Sequence, residues 1–378
     1  MRLPRVVIGM SGGVDSSVSA FLLKKRGFDV VGLHMINWDS QEEGISTCPR
    51  SKDESDARSI CSRLNIPFYT ANFVKEYWND VFLKFLENYR SGRTTVPDID
   101  CNRSIKFEVF HKLAQERFDA DFIATGHYAT TSYGDFQERR KEREEIRLFS
   151  GRDPLKDQTF FLCTVTQNQL KRAMFPLGNL MKTDVKRIAE EQGFHAVAGK
   201  PESMGICFVG KKKRFAEFLD EYIEPKPGRI LSKNGKIIGN HQGIHHFTSG
   251  KRINGQYLEE RSHLGYFVVD IDPETADVVA CEGSHNPSLY ATRFLIKSPN
   301  WIPLRNPLET LPRSEILCRI QRTHPPVPCT VETLDQGFLS ISPRIPLRAT
   351  APGQMCVFYT TRNECLGGGE IVKIQNTL

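Results

Sequence analysis

Apolar residues over roughly the first half of the chain fall into two alternating patterns. Short continuous runs read as strands buried on both faces: Val6-Val7-Ile8-Gly9-Met10, Val30-Val31-Gly32-Leu33-His34-Met35, Pro67-Phe68-Tyr69-Thr70 and Phe122-Ile123-Ala124-Thr125. Between them, Val14 to Arg26 carries Val18, Phe21 and Leu22 on one helical face. Asp53 to Leu64 and Ile105 to Glu116 also read as helices. This β-α-β-α rhythm predicts a Rossmann-like α/β fold, a mostly parallel sheet with helices on both faces. The pattern changes at Glu224-Pro225-Lys226-Pro227-Gly228, where proline and glycine mark a linker. Beyond it the segments are strand-like, with turns such as Lys233-Asn234-Gly235 and a second break over Gly283 to Pro287. Glu315 to Gln321 and Gln354 to Tyr359 are β-type. The expectation is three domains: an α/β domain over 1–223, a small β-rich central domain over 224–285, and a C-terminal β-barrel over 286–378.

The charge run Gln137 to Arg147 reads as a solvated excursion between two strands. No stretch approaches the roughly 20 apolar residues of a membrane span, so no membrane partner is expected. The 378 residues are 39% hydrophobic and 25% charged, as in an ordinary globular protein. A net charge of +6 permits a polyanionic partner such as RNA without demanding one. None of the ten cysteines forms a C-x-x-C pair, which argues against a zinc ribbon. A strand-like run from Arg5 leaves no space for a signal peptide or a full organelle presequence, so mostly free thiols in a reducing compartment are expected.

Candidate chemistry begins at Ser11-Gly12-Gly13-Val14-Asp15-Ser16-Ser17, between the first strand and the first helix. Glycines let backbone N–H groups approach a phosphate, and the helix start adds a positive dipole end. Ser11, Ser16 and Ser17 can donate hydroxyl hydrogen bonds. Asp15 would repel a phosphate, and makes sense if it holds Mg²⁺ against it. The Walker pattern is absent. The bland alternative is a Gly-rich strand-to-helix turn. Cys101, in Val96-Pro97-Asp98-Ile99-Asp100-Cys101-Asn102, precedes a predicted helix, whose N-terminus would lower a thiol pKa. Asp98 stands three residues before it, as a candidate general base or positioning group. Cys207 lies in the Gly-flanked stretch Gly205-Ile206-Cys207-Phe208-Val209-Gly210. Taken singly, either cysteine reads more often as a small core residue. Lys211-Lys212-Lys213-Arg214 and Lys251-Arg252 read as an RNA-binding surface or as solvated loops.

The loop resembles the S-G-G-x-D-S loop of ATP pyrophosphatases, which cleave ATP to AMP and pyrophosphate while adenylating a carbonyl oxygen. In order along the chain follow Pro97 to Asn102 with Ile105-Lys106-Phe107, Ala124-Thr125-Gly126-His127-Tyr128-Ala129, Lys156-Asp157-Gln158 and Gly205 to Gly210. Gly243-Ile244-His245-His246-Phe247-Thr248, Ala351-Pro352-Gly353-Gln354 and Cys365-Leu366-Gly367-Gly368-Gly369 complete the series. Together they resemble the tRNA-specific 2-thiouridylases over nearly the whole chain. Asn37-Trp38-Asp39-Ser40 and Lys75 to Phe82 resemble the eukaryotic, mitochondrial branch, which implies a mitochondrial location.

The resemblance implies that ATP, with Mg²⁺ held through Asp15, adenylates O2 of the wobble uridine (U34) of tRNA. A persulfide on Cys207, loaded by a sulfur-donor protein, would supply sulfur to C2. Cys101 would release it by forming a disulfide with Cys207, or attack the activated carbon itself, with Asp98 beside it. Gly9, Met10, Ser11, Gly12, Gly13, Val14, Asp15, Ser16, Met35 and Gly126 match ATP-contacting positions. Val96, Pro97 and Asp98 match the target-base segment, and His127, Lys156, Asp157, Gln158 and Gln354 match tRNA-contacting positions, with the barrel as a tRNA-contacting domain. His127 reads equally as a residue closing its strand. The family's Asn-Pro-Asp becomes Val96-Pro97-Asp98 here, its Arg-aromatic-Arg-Gln run becomes Gln321-Arg322-Thr323-His324, and its Gly-Gln-Arg becomes Gly250-Lys251-Arg252. Three alternatives stay open. One is another adenylating enzyme, such as a lysidine synthetase or an amidotransferase; the second is an iron–sulfur thiolase using Asp98, Cys101 and Cys207; the third is a non-enzymatic tRNA-binding protein.

Overall fold

A computed structural model describes residues 3–38, 49–141, 144–201 and 215–378. The α/β part opens with β1 (Arg5–Gly9), α1 (Val14–Lys25), β2 (Asp29–Ile36), α2 (Pro49–Arg63) and β3 (Phe68–Asn72). Helices α3 (Val74–Tyr77) and α4 (Leu83–Arg90) are joined by a π-helical turn over Trp78–Phe82. Next, α5 (Pro97–Asp100) and α6 (Phe110–Phe118) are joined by a π-helical stretch over Cys101–Val109. After β4 (Phe122–Ala124), β5 (Ala129–Thr131) and β6 (Leu148–Ser150) come α7 (Gln167–Leu170) and β7 (Ala173–Met174). Then α8 (Lys182–Glu191), α9 (His195–Ala198) and α10 (Phe215–Asp220) follow.

Five of these strands form a sheet in the order β3-β2-β1-β4-β7, every neighbouring pair parallel. Alternation along a strand sends successive side chains to opposite faces. Val7, Val31 and Leu33 join one core with Phe82, Phe107 and Phe110, whereas Val6, Ile8 and Val30 join another with Val18, Ile60 and Val185. Helices therefore cover both faces, as the apolar runs require. The chain winds outward from β1 to β3 and then returns to β4 on the other side of β1. That reversal opens a crevice at the carboxyl ends of β1 and β4, where such sheets bind ligands.

One helical boundary differs from expectation. The run expected from Ile105 begins at Pro97 and continues through the π-helical stretch to Phe118. Proline at the first position presets the helical φ and loses no hydrogen bond there. Cys101 consequently lies inside the helix, beyond its first turn, where the end-dipole argument for an acidic thiol weakens.

The central strands are β8 (Gly228–Ser232), β9 (Ile237–His241), β10 (Tyr266–Asp272) and β11 (Asp277–Glu282), ordered β10-β11-β8-β9. Their own core contains Ile230, Ile238, Val268 and Val278. The remaining strands are β12 (Tyr290–Trp301), β13 (Ile316–Arg319), β14 (Val327–Thr333), β15 (Phe338–Pro343), β16 (Leu347–Arg348), β17 (Met355–Thr360) and β18 (Glu364–Thr377), with the short α11 (Pro307–Thr310) after β12. The sequence β12-β15-β14-β13-β17-β18 returns to β12 through the β12–β18 pairing, which closes a six-stranded barrel. β5 and β6 pair with each other and attach to β18, so the α/β part contributes two strands to the barrel's sheet. The segment between them contains the charge run, but it is not solvated throughout: Gln137 and Ile146 are buried, and Gln137 Nε2 donates to Ala173 O (2.7 Å). Ile302, Val357, Tyr359 and Cys365 from the barrel side pack in the same core as Phe160 and Leu162.

Candidate active site

The loop after β1 sits in the crevice. Gly13 caps α1, and Ser11, Gly12, Gly13, Val14 and Asp15 line a cavity of about 710 Å³. Gly12 has φ +72, and a Cβ there would lie 2.2 Å from the backbone oxygen of Asp53, so the loop passes directly under α2. Gly126, just beyond β4, also comes close to the loop: a Cβ there would lie 3.0 Å from Ser16 N. Gly9, Met10, Ser16, Met35 and Gly126 do not line the cavity but support the loop. Met10 N donates to Leu33 O (2.8 Å), and Met35 packs its methyl towards Gly9. Ser16 and Ser17 donate their hydroxyls back to Gly13 O at 3.1 and 2.9 Å, so they brace the loop. Ser11 Oγ lies 3.1 Å from Ser16 Oγ and accepts from Gly13 N.

The opposite wall comes from the helix starting at Pro97. Asp98, Asn102 and Lys106 recur at four-residue spacing, and all three line the cavity. Lys106 Nζ donates to Asn102 Oδ1 (2.9 Å), and Asn102 Nδ2 donates to Phe161 O (3.0 Å). Burial pushes the Asp98 carboxyl above its ordinary value, and the Lys106 ammonium draws it part of the way back. Cys101, on the same helix, is buried in the core shared with Ile105 and Phe107. Val96 faces a neighbouring cleft with Arg103 and Lys297, and Pro97 is buried.

His127 also lines the cavity; its Nδ1 lies 2.8 Å from Thr125 Oγ1, and its ring packs near Phe107 and Phe175. Burial and the nearby Lys106 charge hold His127 well below the ordinary imidazole value, so it is neutral. Lys156 and Gln158 line the cavity, and Gln158 Oε1 accepts from Tyr128 N (3.1 Å). Cations outnumber carboxylates on the walls: Lys52, Lys106, Lys156, Lys182, Lys186, Lys200 and Arg322 against Asp15, Asp53 and Asp98. The cavity therefore suits a polyanion.

Several expectations change. Asp15, expected to hold Mg²⁺, instead accepts from Lys182 Nζ on both oxygens (2.7 and 2.8 Å) and from Tyr128 Oη (2.8 Å). A carboxylate so engaged does not fit direct metal coordination unless Lys182 leaves. Asp157 is buried, and its oxygens accept from Arg319 Nη1 (2.9 Å) and Thr159 Oγ1 (2.8 Å). Gln354 is also buried, with Oε1 accepting from Ala351 N (3.0 Å). These two side chains hold the protein together and do not face the cavity. Cys207 and the cluster Lys211 to Arg214 lie outside the described residues, as do Asp39 and Ser40.

Sequence reasoning assigned no role to Asn102, Lys106, Tyr128, Lys182 or Lys200. The four-residue spacing from Asp98 to Asn102 and Lys106 was a readable signal. Lys182 and Lys200 reach the loop only through tertiary packing, Lys200 by donating to Gly12 O (3.0 Å) and Asp53 Oδ1 (2.8 Å).

Three family models match consecutive parts of the chain. They are described as a tRNA methyl transferase HUP domain (residues 4–211), a tRNA methyl transferase PRC-barrel domain (216–282) and an aminomethyltransferase beta-barrel domain (291–371). The α/β fold with a parallel sheet, the small central domain and the C-terminal barrel agree with these three descriptions. A HUP domain carrying this loop implies use of ATP. Full-length relatives name a different transfer from the models. A Caenorhabditis elegans protein named probable mitochondrial tRNA-specific 2-thiouridylase 1 is 76% identical over 376 residues, covering 100% of both chains. The human mitochondrial tRNA-specific 2-thiouridylase 1 is 40% identical over 98% of this chain and 91% of its own. A tRNA-specific 2-thiouridylase of Geobacillus kaustophilus is 41% identical over 98% and 95%. Identity this high along the entire length, across all three domains, outweighs the wording of the domain descriptions. The chain belongs to the tRNA-specific 2-thiouridylase family.

Proposed function

We propose that the chain replaces O2 of the wobble uridine of tRNA with sulfur in the mitochondrion, where the Caenorhabditis elegans, zebrafish and human relatives are named as acting. The observation that supports this reading is the shared cavity. The phosphate-type loop and the Asp98–Asn102–Lys106 face open onto one basic space large enough for a nucleotide and a flipped base.

ATP enters with Mg²⁺ as its counter-ion. Its phosphates lie against the loop N–H groups and the lysines, and Lys182 transfers from Asp15 to the phosphates. Uridine O2 attacks the α-phosphorus, pyrophosphate leaves, and C2 now carries AMP as its leaving group. The terminal sulfur of a persulfide on Cys207 attacks C2, and AMP departs with the former O2. The Cys101 thiolate then attacks the Cys207 sulfur. This leaves thiocarbonyl sulfur on the uridine and a Cys101–Cys207 disulfide, which a thiol reductant must reduce before the next turnover. Asp98 takes or returns the proton at the base or at Cys101. Lys156, Gln158 and His127 would meet the anticodon loop, and a sulfur-donor protein would load Cys207.

The test is nucleotide chemistry. Full-length protein with ATP, Mg²⁺ and unmodified tRNA should release AMP and pyrophosphate, whereas ADP formation would sink the adenylation step. If the anaerobically purified chain carries iron and visible absorbance, and loses both in Cys101→Ser, a cluster on Asp98, Cys101 and Cys207 replaces the persulfide.

A further inference from the structure

The junction between α10 and the central domain carries a cluster that thiolation does not use. Nε2 of His245 and Nε2 of His246 both meet one atom, Oδ1 of Asp220, at 2.8 and 2.7 Å. The three donor atoms lie within 4.8 Å of one another. Asp220 ends α10, and the histidines belong to the 3₁₀ turn Ile244–His246. Successive residues of such a turn point about a third of a turn apart, so two rings converge on one oxygen only where packing enforces it.

That packing is visible. His245 is buried with its ring against Gly243, where a Cβ would lie 2.2 Å from Cε1. The His246 ring stands edge-on to it, centroids 4.4 Å apart. His246 Nδ1 lies 3.2 Å from Tyr257 Oη, which orients the ring from behind. Among the described residues the second oxygen of Asp220 has no hydrogen bond, and its side chain is 39% exposed, so solvent ions can reach it. The two rings and the carboxylate thus present three metal-ligating atoms to one small volume at the edge of solvent.

We propose that Asp220, His245 and His246 bind a divalent transition cation of the zinc type, through Nε2 of each imidazole and one Asp220 oxygen. Imidazole and carboxylate suit such ions, with bonds of about 2.0–2.2 Å and water completing a tetrahedron. Donors around a tetrahedral ion at that bond length are about 3.3 Å apart, so Asp220 must back away by roughly half an ångström. Coordination through Nε2 leaves Nδ1 as the nitrogen that carries the proton in each ring. His246 Nδ1–H then donates to Tyr257 Oη, the outer support a metal-bound imidazole requires. The ion ties α10 to the central domain. The assignment is independent of the thiolation chemistry.

Chelator-stripped full-length protein titrated with Co²⁺ tests it. The expected result is one Co²⁺ per chain with visible ligand-field bands, without the near-ultraviolet charge transfer of a thiolate site, and displaced by Zn²⁺. Asp220→Asn and His246→Gln should each weaken binding by at least about a hundredfold, and Tyr257→Phe by about tenfold. Absence of a thiolate-free Co²⁺ band in the wild-type chain overturns the proposal, as does unchanged affinity in both ligand variants. If circular dichroism shows a ligand variant unfolded, the wild-type spectrum and Tyr257→Phe decide.

Discussion

Asp98 is buried enough to raise its carboxyl, yet faces the cavity beside a lysine that favours its charge. Replacing it with Asn should lower single-turnover thiolation by roughly 10²–10⁴, the range for loss of a general acid–base group. The acid limb of the wild-type rate profile should lie above the ordinary carboxylate value of 3.8, and Lys106→Met should move it higher still, because a favourable charge is lost. His127 gives a stability signature. Its folded pKa lies below the ordinary 6.5, so the unfolded chain binds more protons as pH falls through that value. Stability from this group is complete above about pH 6.5 and declines below it; burial shifts His111 and His241 in the same direction. The urea midpoint should therefore drop between about pH 7.5 and 5.5, and drop less in His127→Gln. Gly12→Ala would place a methyl group against Asp53 O at a positive φ. It should cost about 1–3 kcal/mol and weaken ATP binding, as read by equilibrium denaturation and nucleotide titration.

At the scale of elements, the turn carrying Lys156, Asp157 and Gln158 is pinned to the barrel by the Asp157–Arg319 ion pair, whose side chains are 4% and 7% exposed. Arg319→Met would leave a buried carboxylate without its partner. Destabilisation of about 3–5 kcal/mol is expected in urea unfolding, with thiolation falling as Lys156 and Gln158 lose their position. The string Lys-Asp-Gln was readable as a unit, but which of its side chains faces the cavity was not. That choice depends on Arg319, which is distant in sequence and close only once the barrel closes. The parallel strands were legible because runs such as Val6-Val7-Ile8 are apolar on both faces and bounded by glycine. The π-helical stretch Cys101–Val109 was not: its apolar spacing resembles that of an α-helix, and the extra residue per turn leaves no mark in composition.

For the whole molecule, linkers rich in proline and glycine announced where the chain changes character, and the barrel followed from short β-type segments. Attachment of β5 and β6 to β18 was hidden, since strands of three residues carry too little pattern to name a partner. Because Ile302, Val357 and Tyr359 share a core with Phe160 and Leu162, the barrel also supports one side of the cavity. Removing residues 286–378 should expose this apolar surface and give aggregated protein on size-exclusion chromatography; a monodisperse, ATP-binding fragment would contradict that dependence.

The most direct test quantifies 2-thiouridine at the wobble position by mass spectrometry alongside AMP, using full-length protein, ATP, Mg²⁺, unmodified tRNA and a persulfide donor. Equal amounts of the two products are predicted. Cys207→Ala should abolish sulfur transfer, and Cys101→Ala should leave no free thiolated tRNA. Thiolation without ATP, or at the wild-type rate in the Cys207→Ala chain, would contradict the account.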